Sequence, residues 1–194
     1  MISSGFGLLF LSPFFLIIAI LIKLGSQGPV FFRQERVGLN GHFFRIHKFR
    51  TMAAGAERKG LQITIGKDQR ITPIGAVLRK YKLDELAQLI DVFIGKMSLV
   101  GPRPEVPKYM ALYPEAVRSE VLSVRPGITD WTSIQFKDEN DILGHSPNPE
   151  KTYIEEILPI KQRYYVEYVR ERCFAGDMRI IFATLFAILI GFLS

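Results

Sequence analysis

The chain is nearly without cysteine: Cys173 is the only one among 194 residues, so no disulfide can form within the chain. A single thiol fits a domain that faces a reducing compartment, where such a residue serves packing. Histidine is also scarce, and His42, His47 and His145 show no ligand spacing, so a zinc centre is excluded and each reads as a surface or packing residue. Charge is missing altogether before Lys23, and the stretch from Gly5 to Ile22 is wholly uncharged. Internal repeats and low-complexity tracts are absent too, which excludes solenoids and disordered linkers.

That uncharged stretch, GFGLLFLSPFFLIIAILI, accounts for much of the positive mean hydropathy of +0.16. It lacks the basic start and the small-residue cleavage site of a signal peptide, so it reads as a membrane segment. As a straight helix it reaches about 27 Å, a little less than a hydrocarbon core of about 30 Å. Pro13 removes an N–H and collides with the carbonyl of Leu9, and Ser12 can bond back to Leu8, so a kink is expected at Ser12-Pro13. A kinked spanning helix and a hairpin that returns to its own face both satisfy these residues. Lys23, Arg33 and Arg36 place the end of the segment on the cytoplasmic side in either case.

Lys and Arg exceed Asp and Glu by 25 − 19 = 6, a balance that favours anionic partners. After the break Gly25–Pro29, residues 30–37 and 42–49 read as strands joined by the Asn40-Gly41 turn. Seven basic residues against two glutamates between Arg33 and Lys59 make this ribbon a basic platform beside the membrane segment, for headgroups or for a specific ligand. Residues 53–70 read as a loop or marginal helix. Leu83, Leu86, Ile90 and Phe93 recur at helical spacing and Gly95 ends the run. Pro102, Pro104 and Pro107 punctuate a non-helical stretch, a helix follows over 115–124, and a short strand is expected at 132–136. The tyrosine-rich stretch 153–169 predicts an amphipathic helix interrupted or kinked at Pro159, facing either the membrane interface or another element. Residues 180–193 predict an interfacial or buried helix too short to span.

Asp84 and Glu85 stand together at the first turn of the helix expected from Leu83, where helix capping alone would also select acids. Their surroundings point further. Arg79, Lys80 and Lys82 precede the pair, and the turns GPRPE at 101–105 and RPG at 125–127 add Arg103 and Arg125 on rigid Pro-bounded backbone. Arginines so held suit bidentate phosphate contact, and carboxylates among them suit Mg²⁺, which prefers carboxylate and phosphate oxygens.

The runs GPVFFRQERVGLNGHFFRIHKFRTM, LRKYKLDELAQLIDVFIGKMSLVGPRPE and VRPGIT, in this order, resemble the monotopic phosphoglycosyl transferases, the bacterial sugar transferase family. The resemblance implies an α/β fold, mostly helical with a small β-hairpin, carrying an N-terminal re-entrant membrane helix and interfacial amphipathic helices. It divides the chain into a re-entrant hairpin broken at Ser12-Pro13 (1–25), a cytosolic catalytic domain (26–175) and a C-terminal interfacial or packing helix (176–194). It further implies transfer of a phosphosugar from a UDP-sugar to polyprenyl (undecaprenyl) phosphate through a covalent aspartyl intermediate on Asp84, with release of UMP. Glu85 is expected to assist, Mg²⁺ to sit at Asp84 and Glu85, and Arg79, Arg103, Arg125, Lys48 and Arg50 to contact phosphate or nucleotide. The setting implied is the cytoplasmic face of the bacterial inner membrane, with membrane lipids as partners, no nucleic acid, and a homodimer left open.

Departures from the family pattern are Lys82 and Ala87 around the dyad, where Ser and Pro are common, and Asp130-Trp131-Thr132-Ser133 in place of G-W-A-Q. The usual basic stretch before the apolar segment is lacking, which points to a clipped or misassigned start. The rival readings are a non-catalytic membrane scaffold for anionic lipids or proteins, and a nucleic-acid binder favoured only by basicity.

Overall fold

The computed structural model describes residues 2–53, 55, 68–136 and 139–193. Most of the loop expected over 53–70 therefore lies outside the described residues. The described residues are mostly helical, with two small two-stranded sheets among them.

Strands β1 (Phe31–Val37) and β2 (Phe43–Phe49) form the expected antiparallel hairpin, in register from Phe31↔Phe49 to Val37↔Phe43. Asn40 takes φ 53 and Gly41 φ 79, the left-handed pair for which Asn-Gly is suited. A hairpin alone is marginal in water, so it is held by what it buries. Phe44 and Ile46 pack with Val92 and Met97, while Phe49 joins Ile18, Ile22, Leu78 and Ala87.

A second sheet, not foreseen from the sequence, pairs β3 (Ser98–Val100) in parallel with β4 (Gly127–Thr129). The strands approach so closely that a Cβ on Gly127 would stand 2.1 Å from the Gly101 nitrogen. Gly127 N donates to Pro102 O at 2.9 Å and Ser98 N to Pro126 O at 2.8 Å, so the GPRPE and RPG turns leave the ladder side by side.

Helix α1 (Ile2–Gly25) runs without interruption through Pro13. Ser12 Oγ donates to Leu9 O at 2.8 Å, one residue later than the expected Leu8. The 19 residues Gly7–Gly25 are apolar and long enough to cross a membrane. One arc of α1 touches the domain: a Cβ on Gly5 would meet Phe93 at 3.2 Å, Gly7 faces Leu89, and Ile18 and Ile22 enter the core. The opposite arc, with Leu9, Phe10, Leu16 and Leu24, is exposed.

Helix α2 (Pro73–Lys80) is capped by Thr72, whose hydroxyl accepts from Gly75 N at 3.0 Å. The helix expected from Leu83 divides into a 3-10 turn (Leu83–Gln88) and α3 (Leu89–Phe93), because Lys82 enters it in the left-handed conformation. Beyond β3 come α4 (Pro107–Met110) and α5 (Glu115–Val121), the latter ending three residues before its expected limit. The strand expected at 132–136 is a helix, α6 (Trp131–Gln135), since the Asp130 carboxylate accepts from the backbone of Thr132 and Ser133 and caps it.

Helices α7 (Glu139–Gly144) and α8 (Pro149–Thr152) lead into a π turn (Tyr153–Ile157) continuous with α9 (Leu158–Glu171). The interruption expected at Pro159 takes the form of this π turn, which ends two residues before the proline, and the run continues as α9 beyond it. Tyr153, Ile157 and Leu158 pack with Val37, Val106, Tyr109 and Leu143. The last helix, α10 (Phe174–Leu193), starts six residues earlier than the expected 180–193. Its Thr184 hydroxyl meets that of Thr129 on β4 at 2.7 Å.

Candidate functional site

Three segments converge on the dyad. Along β2 the residues Phe44, Ile46 and Lys48 share one face, and the first two are buried, so Lys48 is carried inward with them. Its Nζ donates to Glu85 Oε1 at 2.9 Å. From the turn after β3, Arg103 grips the same carboxylate in a fork, Nη1 to Oε2 at 3.0 Å and Nη2 to Oε1. Both oxygens of Glu85 are thus occupied by cations.

Asp84 differs from its neighbour. It is 8% exposed, yet its carboxylate takes part in no hydrogen bond or ion pair among the described residues. Burial raises its pKa, the Glu85 charge adds to this, and Lys48, Arg79 and Lys82 only partly oppose it. For Glu85, burial pushes the same way, but Arg103 and Lys48 outweigh it and hold the carboxyl well below the ordinary range. Glu85 in turn holds the Arg103 guanidinium firmly protonated. Burial lowers the pKa of the Lys48 ammonium, an effect that Glu85 opposes.

Arg79, in the last turn of α2, donates from Nε to Thr51 Oγ1 at 2.8 Å, and Asp84 counters the lowering of its pKa by burial. Its placement comes from a tight junction in which Thr72 N donates to Thr51 O at 2.9 Å and a Cβ on Gly75 would stand 2.0 Å from that same oxygen. Lys82 precedes the dyad with φ 55 and ψ 20, a conformation that costs a side-chain-bearing residue about 1 kcal/mol.

Lys48, Arg79 and Arg103 are therefore brought to Asp84 and Glu85, and two other candidates are placed elsewhere. Arg50 is buried at the end of α1, donating to Gln27 O, Ser26 O and Ser26 Oγ at 2.7–2.9 Å, and so fastens the apolar helix to β2. Arg125 is exposed and donates to Gly95 O at 2.9 Å. Ser12 and Pro13 lie within α1.

Sequence reasoning missed Asp91. Completely buried, it accepts from His47 N at 2.7 Å and lies 2.8 Å from His47 Nδ1, so His47 is a bonded partner rather than a free surface residue. The run of apolar residues at helical spacing around Asp91 could have flagged an acid that needs a buried partner.

Among the described residues no three His, Cys, Asp or Glu side chains gather as a metal cage. The open oxygens belong to Asp84. One free carboxylate suits Mg²⁺, which is commonly held by one or two carboxylates together with substrate phosphates and water.

A helix-rich domain packed on a long apolar helix, with a carboxylate that forms no hydrogen bond among the described residues and lies among cations, is an arrangement suited to binding anionic groups. Comparison with known proteins goes further: the sequence model described as bacterial sugar transferase matches residues 1–191, and the chain belongs to that family. It is 37% identical over 183 residues to the UDP-N-acetylgalactosamine-undecaprenyl-phosphate N-acetylgalactosaminephosphotransferase of Aeromonas hydrophila, covering 93% of this chain and 40% of that protein. To the UDP-glucose:undecaprenyl-phosphate glucose-1-phosphate transferase of Escherichia coli (strain K12) it is 36% identical over 182 residues, or 92% and 37% of the two chains. The chain thus spans well under half the length of these two relatives. The exopolysaccharide production protein PSS of Rhizobium leguminosarum bv. phaseoli is matched over 88% of its length, at 39% identity and 94% of this chain.

Proposed function

We propose that this chain transfers a phosphosugar from a UDP-sugar to a polyprenyl phosphate by two displacements at phosphorus. An Asp84 carboxylate oxygen attacks the sugar-bearing phosphorus, the bridging P–O bond breaks, and UMP leaves with the bonding electrons. The acceptor phosphate oxygen then attacks the aspartyl-phosphosugar, the acyl P–O bond breaks, and the Asp84 carboxylate is regenerated. The product is a polyprenyl diphosphosugar.

The observation that carries this reading is the contrast within the dyad. A nucleophile needs free lone pairs, and Asp84 keeps them in a buried setting where its charge is poorly solvated. Glu85, with both oxygens engaged, serves as the anionic post that fixes Lys48 and Arg103 beside the reacting phosphate. Bound Mg²⁺ at Asp84 and the donor diphosphate would supply charge screening between the anionic nucleophile and its anionic target. The activities for which the Aeromonas and Escherichia relatives are named support the reaction class and the acceptor.

The packing of α1 along the domain supports an in-plane course for the apolar helix. Its start touches Phe93 and Leu89 and its later turns touch Phe49, Leu78 and Ala87, so the dyad-bearing segment lies along it. A helix upright across the bilayer would drag α3 toward the far leaflet. Lipid contact on the cytoplasmic face is proposed for the exposed arc of α1 and for Phe182, Leu185, Phe186 and Leu189 of α10.

The test is incubation with undecaprenyl phosphate, Mg²⁺ and a panel of UDP-sugars that includes UDP-N-acetylgalactosamine and UDP-glucose. UMP release and a phosphosugar mass adduct on Asp84 are expected, both abolished in Asp84→Asn with membrane attachment retained. Transfer with no adduct at any time point would sink the covalent route. Turnover that survives Asp84→Asn would do the same.

A further inference from the structure

Among the described residues Lys48, Arg79, Arg103, Lys82 and, through its charge alone, Arg36 act on the dyad. All but Lys82 are committed. Lys48 and Arg103 bind Glu85, Arg79 donates to Thr51 Oγ1, and Arg36 donates to Pro104 O and Gln34 Oε1. Lys82 is the exception: it is exposed, and its ammonium has no hydrogen bond or ion pair among the described residues.

The backbone makes this placement deliberate. Among the described residues only Asn40 and Lys82 hold positive φ without being glycine, and Asn40 sits in a tight hairpin turn where asparagine is at ease. Lysine has no such local reason to adopt φ 55. Strain retained in a side-chain-bearing residue two positions before an unengaged buried carboxylate marks a position held for its side chain.

We propose that Lys82 is a substrate-phosphate contact, the exposed cation two residues before Asp84 that meets the phosphate of an incoming donor or acceptor. The inference rests on the phosphosugar-transfer reading above and adds a residue to it. A flexible, strongly hydrated ammonium on a four-carbon stem suits this task, since it can follow a phosphate through displacement while the fixed Arg103 fork cannot. Its charge is unspent before substrate arrives, so the contact displaces no existing ion pair.

The test compares Lys82→Gln, Lys82→Arg and Lys82→Gly with the wild type in detergent or nanodiscs. Lys82→Gln is expected to raise KM for one phosphorylated substrate about tenfold, the scale of one charge-assisted hydrogen bond, with Lys82→Arg within about twofold of wild type. Lys82→Gly, which relieves the backbone and removes the charge, should follow Lys82→Gln. A rise confined to the donor titration assigns the contact to the nucleotide-sugar diphosphate. A rise confined to the acceptor titration assigns it to the lipid phosphate.

Unchanged KM for both substrates in Lys82→Gln overturns the proposal, as does a Lys82→Arg defect equal to that of Lys82→Gln. Equilibrium binding of inorganic pyrophosphate in magnesium-free buffer reads the same contact without turnover. About tenfold weaker binding to Lys82→Gln supports it and equal binding overturns it. A wild type inactive with every donor would instead count against the transfer reading and leave this binding measurement decisive.

Discussion

Buried acids occur in two parts of this molecule and are treated in opposite ways. Asp91, Glu105 and Asp130 lie within the packed scaffold, and each has partners: Asp91 holds His47, Glu105 accepts from the Tyr153 hydroxyl at 2.6 Å, and Asp130 caps α6 and accepts from Ser133 Oγ at 2.8 Å. These acids are spent on the fold. At the dyad Glu85 is spent on two cations, whereas Asp84 forms no hydrogen bond among the described residues and is met by cations only through their charge. Since burial disfavours the charged form of this carboxyl, its place beside three half-buried cations marks the point where the chain is set for chemistry rather than for packing.

The sharpest way to break this contrast is Asp84→Asn. Transfer should fall on the order of 10⁴-fold or more, as for loss of a nucleophile or its partner in other enzymes. Stability should hold or rise at neutral pH. The sign follows from the raised pKa: the folded state resists ionisation of Asp84, so this group favours folding fully only below the ordinary carboxylate range and loses that contribution as pH rises through its folded pKa. The stability gap between Asp84→Asn and wild type should therefore close on acidification, as read by denaturant unfolding at several pH values. Activity has the matching acid limb, lying above the ordinary aspartate range, because the carboxylate form is the nucleophile. Glu85→Gln removes an anion that raises the Asp84 pKa, so in that variant the remaining activity should show this limb at lower pH.

Removal of one partner from the engaged acid should act on the fold as well as on transfer. Arg103→Ala leaves Glu85 with Lys48 alone, a loss of about 2–3 kcal/mol once the 26% exposure of Arg103 is allowed for. Glu85 has a depressed pKa, so its contribution is present above the ordinary glutamate range and disappears as pH falls through the folded value. The Arg103→Ala deficit should accordingly shrink in acid. A deficit that is flat with pH would mean that the Glu85 charge is not what Arg103 stabilises.

In the scaffold, Asp91→Ala removes the acceptor of the His47 backbone N–H and its ring partner together. A cost of about 2 kcal/mol is expected from the unsatisfied buried donors. The loss should appear in the unfolding midpoint, with turnover per folded molecule much less affected than in Asp84→Asn. Equal loss of turnover in the two variants would erase the distinction between spent and unspent acids.

How much of this could be read from residues alone depends on the range of the interaction. The hairpin was readable because Asn40-Gly41 fixes its own turn chemistry, and the dyad because two acids and several basic residues lie within a short stretch of chain. Lys48 was nominated by motif, but its grip on Glu85 depends on strand parity and a contact 37 residues away. Arg50, two residues on, shows the opposite outcome, since only the packing of α1 on β2 reveals that its guanidinium is consumed by Ser26 and Gln27. The β3–β4 ladder escaped notice because three-residue strands carry too little periodicity, and α6 because the capping power of Asp130 outweighs the strand preference of the residues after it.

The smallest expected effect concerns backbone strain, which also separates the two regions. Lys82 and Asn40 have nearly the same φ, 55 and 53, but only Asn40 belongs to a residue type that enters the left-handed region readily. Lys82→Asn should therefore stabilise the fold by about 1 kcal/mol. Lys82→Gly should gain less, because glycine returns part of the benefit as unfolded-chain entropy, about 0.4–1 kcal/mol. Asn40→Gly has little strain left to relieve, and the same entropy makes it neutral or slightly destabilising. Thermal unfolding of the three variants ranks them directly. Lys82→Asn more stable than wild type, with weakened phosphate-dependent activity, would show conformational cost and charge placed at one residue for one use; a ranking led by Asn40→Gly would show that the strain beside the dyad is incidental.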